Sequence, residues 1–112
     1  MSYKTQTRLW VAQRVSAAVL AVCVAVHLVT IVYAVRGGLS AAEILGRTRG
    51  NGAWLAFYSI FVLAAAVHAP IGLRSVFMEW LGWSGRSRDA VLFLFSIGIV
   101  VIGLRAVLSV FG

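Results

Sequence analysis

Residue types on which disulfide-stabilised domains and metalloproteins depend are scarce in this chain. Its 112 residues include one proline, one cysteine, two histidines and three acidic residues. A lone cysteine excludes an internal disulfide framework and a four-cysteine iron–sulfur site. Charged residues make up 12% of the chain, about half the share of a typical soluble domain. Most of what remains is apolar, at 62% of all residues, which is typical of a membrane protein.

Basic residues exceed acidic ones and give a formal net charge of +7. A nucleic-acid-binding protein would gather such charge on one soluble face. Here the lysine and arginines lie at the ends of apolar runs, where such side chains meet lipid headgroups. We therefore expect a lipid membrane, and no nucleic acid, as a partner.

Three apolar stretches are long enough to cross a bilayer, which takes about 20 residues. Backbone groups in lipid must be satisfied within their own segment, so each stretch should be a helix. Residues 1–112 are thus predicted to form a single all-α membrane anchor domain with three antiparallel transmembrane helices, at about Leu9–Val35, Ala53–Leu81 and Asp89–Phe111. Between the first two, Leu39–Leu45 is expected to form a short interfacial turn, with Ser40 and Glu43 as a capping box.

The basic residues are unevenly divided between the two sides of such a bundle. One side holds six, Lys4, Arg8, Arg14, Arg74, Arg86 and Arg88, and the other holds four, Arg36, Arg47, Arg49 and Arg105. Loops that carry more lysine and arginine stay in the cytoplasm. We therefore expect a cytoplasmic N-terminus in a bacterial-type inner membrane.

The two histidines, His27 and His68, both fall inside transmembrane segments. Ionisable side chains at that depth are costly and mark functional sites, and a neutral imidazole is a ready ligand for haem iron. The alternative is a histidine that only hydrogen-bonds between helices. Small residues one turn from His68, such as Gly72, would form a slot for a porphyrin edge or would simply permit close helix packing.

Depth separates the two histidines. At about 1.5 Å per residue, His27 lies ~20 Å from Arg14, whereas His68 lies only ~9 Å from Arg74. Because both arginines belong to the same membrane face, the histidines should differ in depth by ~10 Å and should not share one iron.

Arginines pair well with carboxylates, so Arg14 and Arg74 are candidates for haem propionates at this face, with lipid phosphate as the alternative. Arg105, near the opposite face, is interpreted mainly as a lipid-facing arginine and secondarily as a partner for a second cofactor.

Two segments resemble the cytochrome b membrane anchors of succinate dehydrogenase and fumarate reductase. Gln13-Arg14-Val15-Ser16-Ala17 is similar to the His-Arg-Val-Ser-Gly signature of their first helix. The segment from His68 through Gly72 and Arg74 to Glu79 is similar to their second-helix motif, in which an acidic residue follows the arginine. The resemblance implies that His68 is an axial ligand of haem b and that Arg14 lies beside the propionates and the quinone. Trp10 stands where some relatives have a quinone-contacting serine.

The resemblance also implies a role and partners. His27 is placed like the first-helix ligand of two-haem relatives, so two haems b are expected, each completed by a second membrane anchor subunit. Iron–sulfur and flavoprotein subunits would complete a complex that passes electrons between succinate or fumarate and membrane quinone. The chain itself, with no flavin fingerprint, would not act on succinate. Two alternatives stay open: a cofactor-free structural anchor, and a cytochrome b anchor of another quinone-linked oxidoreductase.

Overall fold

The protein is a bundle of helices in the computed structural model, which describes residues 2–112. Three helices are long and apolar enough to span a membrane, and a short one lies between the first two. The elements are α1 (Tyr3–Gly37), α2 (Ala41–Thr48), α3 (Gly52–Leu81) and α4 (Arg86–Phe111). The predicted all-α architecture with three long apolar helices is therefore confirmed.

The long helix α3 lies at the centre and packs against α1 and α4. Ser16 of α1 lies opposite His68 of α3, and His27 lies opposite Tyr58. This pairing runs in opposite chain directions, so α1 and α3 are antiparallel. Antiparallel packing places the start of α1 and the α3–α4 turn at one end, called here the inner end. Helix α2 lies at the other, outer end.

Two long helices begin earlier than hydropathy predicts. Helix α1 starts at Tyr3 rather than Leu9, because the Ser2 hydroxyl accepts a hydrogen bond from the Thr5 backbone N–H at 3.2 Å and caps it. Helix α4 starts at Arg86 rather than Asp89. The apolar pattern marks the span in contact with lipid, whereas polar first turns continue the same helix beyond it.

The short helix α2 ties the outer ends of α1 and α4 together. Ser40 caps it as predicted, with its hydroxyl 3.2 Å from the Glu43 backbone N–H. Arg47 donates to the Gly38 carbonyl at 2.7 Å, and Thr48 donates to the Val110 carbonyl at 2.8 Å. Carbonyls at helix C-terminal ends have no partner in their own helix, so α2 supplies the missing donors.

One contact between α3 and α4 compensates for the only proline. Pro70 has no N–H, so the carbonyl of Ala66, four residues earlier, loses its usual helical partner. The Ser96 hydroxyl of α4 donates to this carbonyl at 2.7 Å. Farther along, a Cβ atom on Gly103 would lie 2.5 Å from a Val62 methyl carbon, so the two backbones approach closely there.

Candidate functional site

His68 is held from the neighbouring helix by a serine. The Nδ1 atom of its half-buried imidazole lies 3.3 Å from the Ser16 hydroxyl of α1. Ser16 is 5% exposed, and its hydroxyl also donates to the Gln13 backbone carbonyl at 3.1 Å. The imidazole is thus fixed through one of its two nitrogens.

His27 is held in the same way, with the helices exchanged. Its Nδ1 atom lies 3.3 Å from the phenol oxygen of Tyr58 on α3. The rings of Tyr58 and Phe61 meet the imidazole edge to face, each at 5.7 Å between centroids. Thr30, its only polar neighbour on the same helix, instead donates to the His27 backbone carbonyl at 2.7 Å. Tyr58 is the partner that sequence reasoning missed.

The second ring nitrogen, Nε2, is uncommitted in both histidines. Within residues 2–112, neither Nε2 atom has a hydrogen-bond partner, and neither is enclosed by the chain. An axial haem ligand needs this combination: one nitrogen oriented by a neighbouring group, and the other presented to the metal. The donor set of both histidines therefore fits haem ligation.

The two imidazoles lie at well-separated depths. Ser16, at the level of His68, precedes His27 by eleven residues on α1, which corresponds to about 16 Å. The separation expected from the sequence is therefore present and larger than the predicted ~10 Å. One iron cannot bind both side chains in this arrangement.

An apolar cleft of about 580 Å³ opens beside His27 at the outer end, a volume within the usual range of small-molecule sites. Its walls come from α1, α2 and α3 and include His27, Tyr58 and Trp54. The cation on its lining is Arg47 of α2. Arg105, which the sequence suggested as a partner for a second cofactor, is exposed and does not line this cleft, so the structure places a different arginine, Arg47, on the cleft beside His27.

The predicted inner-end residues form two pairs. The Arg14 guanidinium lies 5.3 Å from the centroid of the Trp10 ring, a cation–π distance, and both side chains are exposed. Arg74 Nε lies 3.9 Å from Asp89 Oδ1 on α4. The structure thus brings Trp10 and Arg14 together, and it places Arg74 beside a carboxylate that sequence reasoning had not paired with it.

The Gln13 side chain of α1 lies beside Gly72, where the sequence predicts a slot next to His68. A Cβ atom there would lie 3.4 Å from Gln13 Nε2 of α1, so Gly72 provides close packing between α1 and α3. This contact agrees with close helix packing, and the porphyrin slot at Gly72 stays a prediction. A porphyrin would have to reach His68 from the side on which Nε2 is accessible.

Comparison with known proteins assigns the chain to a class. Residues 1–108 match the family of succinate dehydrogenase/fumarate reductase transmembrane subunits. The chain therefore belongs to this family, which makes it a multi-pass membrane subunit that associates with other subunits of such a complex. No individual curated protein and no solved structure matches it significantly.

Proposed function

We propose that this chain is a haem b-binding anchor of succinate:quinone oxidoreductase, which passes electrons between the iron–sulfur subunit and membrane quinone. The observation that carries the proposal is the common geometry of His68 and His27, whose Nδ1 atoms are bonded to a hydroxyl while Nε2 stays accessible. A bound haem b supplies one-electron redox chemistry at each site.

The depth of the histidines supports a proposal of two haems. Because about 16 Å separates their levels along the helix axis, His68 serves an inner haem and His27 an outer one. Each histidine would supply one ligand to its haem iron. A second membrane anchor subunit supplies the others, since the chain has only two histidines. Arg47, on the lining of the outer cleft, would face an outer haem carboxylate, and Arg14 and Arg74 are the arginines that would face those of the inner haem.

The quinone site is proposed at the inner end, around Trp10 and Arg14. Their exposed side chains lie in contact, and together they offer an aromatic face and hydrogen-bond donors to a quinone ring and its carbonyl oxygens. The iron–sulfur subunit, with the flavoprotein subunit beyond it, docks at this same end on the cytoplasmic side of a bacterial-type inner membrane. A haem held by His68 would lie on the same inner side of the bundle as this quinone site.

A cofactor-free anchor would use the same two hydrogen bonds only to link helices. Haem content separates the two functions. The complex should be purified through its soluble subunits, and its haem b should be quantified for the wild type, His68→Ala and His27→Ala. We expect two haems per complex in the wild type and one in each variant.

Thr30→Ala is the matched control, because Thr30 lines the His27 cleft but its hydroxyl donates to the His27 backbone carbonyl and not to the imidazole; it should keep both haems. A wild-type complex without b-type absorption bands would establish the cofactor-free anchor. One haem in both the wild type and His27→Ala would give His27 a structural role. A co-purifying flavoprotein unrelated to succinate or fumarate would assign the chain to another quinone-linked oxidoreductase.

A further inference from the structure

Ser16 is the α1 residue whose side chain hydrogen-bonds to the His68 imidazole. It is among the most buried polar residues of the described chain, at 5% exposure. Its oxygen lies between two groups, the Gln13 carbonyl at 3.1 Å and His68 Nδ1 at 3.3 Å. A serine hydroxyl has a single proton to donate and two lone pairs.

The direction of the Ser16 hydroxyl decides the tautomer of His68. A carbonyl oxygen can only accept, so the hydroxyl donates to Gln13 and offers a lone pair to His68. With the hydroxyl in this direction, Nδ1 carries the imidazole proton and Nε2 carries the lone pair. The opposite tautomer would put the proton on Nε2, where it would block a metal. The contact therefore selects the tautomer that binds iron.

We propose that Ser16 is a positioning residue that fixes the tautomer and ring orientation of His68 and tunes the haem it ligates. This inference rests on the proposed function, in which His68 is an axial ligand. Hydrogen bonding at Nδ1 raises the basicity of Nε2, and losing such a partner typically weakens metal affinity 10- to 100-fold. A stronger nitrogen donor stabilises the ferric state, so Ser16 holds the potential of the inner haem lower than an unpaired histidine would.

The test compares Ser16→Ala, Ser16→Thr and Cys23→Ala in the purified complex. Cys23 is the matched control, because it is equally buried on the same helix, at 4% exposure, but does not bond to His68. Two quantities are measured: the rate of haem loss to excess apomyoglobin, and the midpoint potential of the inner haem by redox titration. In Ser16→Ala we expect haem loss about 10- to 100-fold faster and a more positive potential. Ser16→Thr keeps a hydroxyl, so its rate of haem loss and its midpoint potential should be close to those of the wild type. Cys23→Ala should change neither quantity.

The outcomes distinguish this inference from the proposed function. If His68→Ala keeps the inner haem, the proposed function fails. If His68→Ala loses that haem while Ser16→Ala matches the wild type in haem loss and potential, only the role of Ser16 is wrong. If Ser16→Ala and Cys23→Ala change haem loss and potential equally, the changes come from lost packing. That result would also overturn the proposed role of Ser16.

Discussion

At the scale of single residues, the sequence identifies the chemistry-bearing side chains but not their partners. His68 and His27 stand out because they are the only imidazoles in apolar segments. Ser16 and Tyr58, which hold them, lie 52 and 31 residues away in the chain. The 3.6-residue period tells which residues share a face of one helix, but the axial register between two helices depends on packing. Asp89 beside Arg74 and Arg47 beside the His27 cleft were missed for the same reason.

Arg14 gives a prediction at this scale. Arg14→Leu should impair quinone reduction by about 10-fold or more, because a positioned charged hydrogen bond typically contributes about 1.5–3 kcal/mol. Assembly and electron transfer to a soluble artificial acceptor should persist. Arg8→Leu, which removes another exposed arginine of α1, is the control and should leave both activities near wild type. Parallel assays with quinone and with the artificial acceptor test whether Arg14 acts in quinone reduction. Equal losses of activity in both assays would show that the role of Arg14 is structural.

At the scale of helices, local signals located every element, and tertiary contacts set the ends. The boundary signals at Ser40 and Glu43 predicted a turn over Leu39–Leu45, yet α2 runs to Thr48. Its last residue bonds to the Val110 carbonyl of α4, a contact that no local pattern contains. Pro70 indicated a lost backbone hydrogen bond at Ala66 but not the donor that replaces it. Ser96, 30 residues away, meets that carbonyl only because α3 and α4 are antiparallel in this register.

Ser96 and Pro70 should therefore be energetically coupled. Ser96→Ala should lower the stability of the complex by about 1 kcal/mol, the usual size of a hydrogen bond between membrane helices. In a Pro70→Ala background the residue at position 70 regains an N–H, which can bond to the Ala66 carbonyl within α3. In this background, Ser96→Ala should lower the stability of the complex by much less. A double-mutant cycle by thermal unfolding in detergent measures this difference.

The control for this cycle is Ser109→Ala. Ser109 also lies on α4, but it is exposed and its hydroxyl donates to the Ala106 carbonyl of its own helix. Its removal should change stability by no more than about 0.5 kcal/mol. If Ser96→Ala lowers stability by the same amount with and without Pro70, the Ser96 hydroxyl does not compensate for the hydrogen bond that Pro70 removes.

At the scale of the whole molecule, the sequence predicts the architecture because the bilayer restricts the choices. An apolar segment in lipid must be a helix, and short connections make neighbours antiparallel. What the sequence leaves open is which helix is central, and the structure assigns that place to α3, between α1 and α4. Both histidine contacts join α1 to α3. The accessible Nε2 atoms therefore mark the surface of this pair on which we expect the second anchor subunit.

Orientation in the membrane is the last prediction. The inner end carries six lysine and arginine residues and the outer end four, so the inner end should lie in the cytoplasm. The only native cysteine is buried and can be removed as Cys23→Ala. In that background, Ala42→Cys on α2 and Ser84→Cys in the α3–α4 turn place thiols at exposed positions of opposite ends. A membrane-impermeant maleimide added to cells with a permeabilised outer membrane should label Ala42→Cys and leave Ser84→Cys unlabelled until the protein is denatured. The reverse labelling pattern would show that the bundle has the opposite orientation and that the proposed quinone site lies on the other side of the membrane.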